Sequence, residues 1–141
     1  YTNTLREEEG GTYGAGVGTS LYKYPKENAM IQVSFDTNPA QAASLEALAV
    51  KGIQGLGENG PSADDMAKTI ENFKKNIPES RISNKYWLNA LVHFDQYNGE
   101  DYDSEYEKAV NSLTASDVQN IVKSIRSQGN FIEIEMTNTN E

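Results

Sequence analysis

Leu5-Arg6-Glu7-Glu8-Glu9-Gly10-Gly11-Thr12-Tyr13-Gly14 leads straight into Ala15-Gly16-Val17-Gly18-Thr19-Ser20-Leu21-Tyr22, and the reading of this stretch decides the fold. From Thr12 onward Tyr13, Ala15, Val17, Thr19 and Leu21 alternate with Gly14, Gly16, Gly18, Ser20 and Tyr22. That period of two predicts a strand over 12–22. Taken by composition alone, the acidic run and Gly pair before it form a solvated turn at the strand's entrance. Residues 29–36 predict a second strand, with Ile31, Val33 and Phe35 on one face. Between the two, Pro25 and Asn28 mark a turn, so the pair reads as a hairpin.

Helical patterns follow. Pro39 suits a first helical turn with Thr37 or Asn38 as its cap, and Leu45, Leu48, Ala49, Gly52, Ile53 and Leu56 form a core-facing stripe. Residues 57–61 should end that helix. Ser62 with Asp65 predicts the next start, with a stripe of Met66, Ile70, Phe73 and Ile77 that Pro78 should break. A third helix is expected over 83–96, burying Trp87, Ala90, Leu91 and Phe94. A fourth is expected over 101–113, through Tyr102, Tyr106, Ala109, Val110 and Leu113. Thr114 and Asp117 signal a fifth helix carrying Val118, Ile121, Val122 and Ile125. Ile132, Ile134 and Met136 alternate with Glu133 and Glu135, which predicts a closing strand. The expected fold is α+β: a two-layer, mostly antiparallel sheet packed on one face by helices. With no repeat or linker, 1–141 reads as a single domain.

Bulk properties exclude several functions. The net charge of −9 and pI near 4.6 oppose nucleic acid or an anionic membrane surface, because counterion release needs clustered Lys and Arg. Of twelve basic residues only Lys74 and Lys75 adjoin. No apolar run approaches the roughly 20 residues that span a bilayer. Without cysteine there are no disulfides, thiolate metal sites or Cys nucleophile.

Three later landmarks change the meaning of the opening stretch. Gly60-Pro61-Ser62 opens a helix, then Asn84-Lys85-Tyr86-Trp87-Leu88 and Leu113-Thr114-Ala115-Ser116-Asp117-Val118 follow in order. With Leu5 to Gly14, these resemble the landmarks of the C-terminal half of the pitrilysin (insulinase) family of zinc metallopeptidases, over nearly the whole chain. The resemblance implies that Arg6 and Tyr13 hold peptide substrate against a metal bound by the other half. Tyr13 would contact the oxyanion of the transition state, Arg6 a neighbouring substrate carbonyl, and Gly10 and Gly11 would let backbone come close. The same fold also serves as a non-catalytic scaffold or partner subunit, which is the alternative reading.

The metal centre of that family is an inverted H-x-x-E-H motif plus a distant Glu. The one histidine, His93, has no partner at motif spacing and reads as a helix-face residue. Residues 7–9 and Glu100-Asp101-x-Asp103 read as solvated charge, since neither fits a calcium loop. No metal ligand is therefore assigned here; the resemblance implies zinc bound by another domain of the parent, and this chain alone is expected to be inactive. The glycines at 14, 16 and 18 lie within a strand and precede no helix, so they do not form a dinucleotide loop. They suit a bare strand face on which a helix or substrate backbone packs. The tyrosines read as core and rim packing in preference to a carbohydrate or peptide surface.

In the family a strand and a helix precede the Arg–Tyr segment. The chain, beginning at Tyr1, is thus expected to be an excised piece with an uncovered sheet edge. Its expected partners are a peptide substrate, the zinc-binding half of the same protein or a partner subunit, and a second copy of itself. A periplasmic or cell-envelope parent completes these expectations.

Overall fold

The computed structural model of the chain describes residues 12–137. The order of elements is β1 (Thr12–Tyr22), β2 (Asn28–Thr37), a 3-10 turn (Pro39–Gln41), α1 (Ala42–Asn59), α2 (Ala63–Ser80), α3 (Asn84–Gln96), α4 (Tyr102–Ser112) and α5 (Ala115–Ser127). This is an α+β fold, as the alternation of periods implied. Two compact units divide it, one formed by residues up to Asn59 with those from Gln119 onward, the other by Gly60–Val118.

In the first unit β1 and β2 form an antiparallel two-stranded sheet. Their loop carries a cis peptide at Tyr24–Pro25. Ala15, Val17, Thr19 and Leu21 stand opposite Phe35, Val33, Ile31 and Ala29, and so share one face. Along β2 that face is half-buried while the alternate residues are exposed, as a period of two requires. Asn38 caps the 3-10 turn, its Oδ1 accepting from the Ala40 N–H at 3.0 Å. Leu45 and Ala49 of α1 and Val122 of α5 are buried. Burying a leucine or valine in this way contributes about 1.5–3 kcal/mol. Gly57 is buried too, and a Cβ there would lie 3.4 Å from Val122 Cγ1, in ordinary van der Waals contact. Gln119 Nε2 donates to the Glu58 carbonyl at 2.6 Å across the same contact.

In the second unit α4 packs against both α2 and α3. Ile77 and Val110 are buried. Phe73 meets Tyr106 edge-on, and Tyr102 stacks on Tyr106 one helical turn along, with ring centroids 5.8 Å apart. Ser62 accepts from the Asp65 N–H at 3.1 Å and donates to its carboxylate, giving the predicted helix start. The Thr114–Asp117 box is fully reciprocal: each residue accepts from the other's backbone N–H. Asn98 and Gly99, at φ of 56° and 86°, turn the chain out of α3.

Three expectations fail. Pro78 does not break α2, which runs on to Ser80 with proline in its last turn. The Arg81 N–H still reaches the Ile77 carbonyl at 3.2 Å, so a proline here removes one hydrogen bond without ending the turn. The α3 stripe is not buried: Trp87, Leu91 and Phe94 are 45%, 68% and 53% exposed. The face turned to α4 is instead the one bearing Tyr86 and His93, whose rings meet Tyr102. Finally, residues 131–137 form no strand, and Ile132, Ile134 and Met136 are exposed. Alternation marks the faces of a strand, but a strand also needs a ladder partner, and none is present among the described residues.

Candidate functional site

Arg6, Gly10 and Gly11, with the acidic residues 7–9, lie outside the described residues; Tyr13 lies in β1 and only its backbone is described. That backbone has a specific geometry. Thr12 pairs with Thr37 and Ala15 with Phe35, so three steps along β1 match two along β2. The extra residue is a β-bulge at Tyr13–Gly14. In a regular strand Thr12 and Ala15 would face opposite sides, but the bulge puts them on one. Thr12 is buried, the single buried polar residue among those described. Its Oγ1 donates to the Gly14 carbonyl at 2.9 Å and accepts from the Gly14 N–H at 3.1 Å. One hydroxyl therefore satisfies both backbone groups of the residue after Tyr13, using its donor and one acceptor lone pair.

Beyond the bulge the strand presents bare backbone. A Cβ added at Gly14 or Gly18 meets nothing within 4 Å, and one at Gly16 meets Ser34 Oγ at 3.3 Å. Gly14, Gly16 and Gly18 are exposed, and no helix of their own unit is seen on this face among the described residues. An extended peptide can approach such a strand without side-chain obstruction.

The other candidates have structural employment. His93 stacks on Tyr97 at 4.2 Å, and its Nε2 lies 3.6 Å from a Glu100 carboxylate oxygen. It lines a cleft of about 360 Å³ with Tyr86, Asn89, Val92, Gln96, Tyr97 and Tyr102. Asp101 caps α4, accepting from the Ser104 hydroxyl at 2.7 Å and its N–H at 3.3 Å, and these bonds lower its pKa. No three His, Asp or Glu side chains among the described residues converge to hold a metal ion.

Asp103 belongs to a cluster with no signature in the sequence. Arg81 Nε and a terminal nitrogen hold its two carboxylate oxygens, each at 2.8 Å, and the same nitrogen reaches Glu107 at 2.6 Å. The Tyr86 hydroxyl also donates to Asp103. The Arg81 fork, then the Tyr86 hydrogen bond, hold Asp103 below the ordinary carboxylate range. Burial first, and the Asp103 hydrogen bond second, push Tyr86 up to about 12. The cluster joins the end of α2 to α3 and α4. The residues lie 17 to 26 positions apart, a separation with no local signal.

Comparison with known proteins gives the fold and the family. The crystal structure of the periplasmic protease PqqL from Escherichia coli matches with a TM-score of 0.71 at 20% identity, covering 86% of this chain. The likeness is one of fold, and this chain spans 14% of that protein's length. No curated protein matches by sequence. Residues 1–73, a span that takes in Arg6, Gly10, Gly11, Tyr13 and the bulge, match the family described as the peptidase M16 inactive domain, and the chain belongs to that family.

Proposed function

We propose that the chain is the C-terminal, non-metal-binding part of a zinc-dependent endopeptidase and that it holds the substrate through Arg6 and Tyr13. The observation that carries this reading is the family match across the Arg6–Tyr13 segment. A domain described as inactive accords with one that supplies contacts to a metal centre elsewhere. On the family reading, zinc would be held by another part of the parent.

The chemistry asks little of these side chains beyond position. Peptide hydrolysis builds negative charge on the former carbonyl oxygen, and a donor aimed there stabilises the transition state more than the substrate. The Tyr13 hydroxyl is that donor. Arg6, permanently charged and forked, holds a neighbouring substrate carbonyl. Gly10 and Gly11 admit the substrate backbone, and the bare face at Gly14 and Gly18 extends the same path. The partners are accordingly a peptide and the zinc-binding half of the same protein or a second subunit. The periplasmic fold neighbour supports a periplasmic or cell-envelope parent.

The test is Tyr13→Phe in the full-length parent. Loss of one oxyanion donor should lower turnover by roughly 10²-fold, whereas this chain alone should hydrolyse nothing. Unchanged turnover would remove Tyr13 from the mechanism and leave the scaffold reading.

A further inference from the structure

We infer that Thr12 is a positioning residue for the substrate site: its buried hydroxyl, bonded to both backbone groups of Gly14, locks the bulge that carries Tyr13. The inference rests on the reading of Tyr13 as the oxyanion donor. A bulge removes backbone groups from the ladder, and those groups need partners elsewhere. Here the residue that loses its place in the ladder is followed by glycine, the residue with the greatest backbone freedom. Left unconstrained, the segment can change pairing, and a slip of one residue sends every following side chain to the opposite face.

Thr12 supplies the constraint from one residue before Tyr13 to one residue after it. The bonds of 2.9 and 3.1 Å run in opposite senses, so neither Gly14 group can turn away without breaking one. Threonine suits the task in two ways. Branching at Cβ restricts χ1, which aims the hydroxyl, and the hydroxyl both donates and accepts. The site is 8% exposed, so little water is at hand to replace either bond. An oxyanion donor works only within about 0.5 Å of its productive place, which gives the lock a functional consequence.

The experiment compares Thr12→Val, Thr12→Ala, Thr12→Ser, Tyr13→Phe and the double variant Thr12→Val with Tyr13→Phe, all in the full-length peptidase. Peptide hydrolysis gives kcat and KM, and thermal melting verifies folding. Valine keeps the shape and the strand preference of threonine and removes only the hydroxyl. A misplaced donor should lower kcat by roughly 10- to 100-fold and leave KM within about twofold. Serine should rescue kcat, and the double variant should be no slower than Tyr13→Phe alone, because Thr12 acts through Tyr13. Should valine prevent folding, the alanine variant carries the same expectation. Wild-type kcat in a folded valine or alanine variant, or multiplied losses in the double, overturns the inference even where Tyr13→Phe is impaired. A silent Tyr13→Phe refutes instead the reading on which it rests.

Discussion

Replacing Gly18 by valine separates the proposed substrate path from the stability of the fold. Gly18 pairs with Gln32 in the ladder, and a Cβ built on it meets nothing within 4 Å. The new Cβ therefore meets no overlap among the described residues. Removing glycine from a strand interior should gain about 0.5–1 kcal/mol, chiefly by narrowing the unfolded ensemble. The preference of a branched side chain for a pleated surface adds to this within a scale of about 1 kcal/mol. No burial term enters, since the new side chain faces open space. A net gain near 1 kcal/mol raises the melting temperature of a 141-residue chain by roughly 3–6 °C, readable by far-ultraviolet circular dichroism. Kinetics of the full-length parent supply the second reading. If the substrate backbone lies along this face, an overlap of about 1.4 kcal/mol in the bound state raises KM about tenfold. Gly16→Ala is the control for strain, because its new Cβ lies 3.3 Å from the Ser34 hydroxyl, which must turn aside. Unchanged KM would refute the substrate path. A variant that stabilises this chain but destabilises the parent would show that another segment of the parent covers the face.

Two further predictions concern stability and assembly. Asp103 has a folded pKa below its ordinary 3.8, so its contribution is complete above that value and disappears as the pH falls through the folded pKa. Asp103→Asn should lower stability at pH 7 and flatten the acid limb of unfolding below about pH 4, followed by the fluorescence of Trp87, the sole tryptophan. An unaltered acid limb would show that the Arg81 cluster contributes nothing. For assembly, the sheet is two-stranded among the described residues, and so short a sheet is marginal until a further strand or layer joins it. The isolated chain should self-associate with rising concentration in sedimentation velocity; a constant monomer with strongly protected edge amides would contradict this.

What could be read in advance was whatever a few neighbouring residues decide among themselves. Asn38, Ser62 and Thr114 each meet their partner within three positions, and each caps as the composition of its turn implied. The strand pair was legible for the same reason, since alternation along β2 is a property of β2 alone. The stripe of Trp87, Leu91 and Phe94 lies exposed, because periodicity states which side chains share a face and says nothing of what covers it. The alternation at 132–136 misled in the same way. The bulge is subtler. Nothing in Thr12-Tyr13-Gly14 announces an extra residue, because bulging is a relation between the two strands and appears only when Thr12 is matched to Thr37 and Ala15 to Phe35. The Asn84 to Leu88 landmark has a physical role. The Trp87 indole N–H donates to the Arg81 carbonyl at 2.8 Å, and the guanidinium of that same arginine grips Asp103. A residue recognised by spacing thus secures the start of α3 against an arginine that no spacing rule selects.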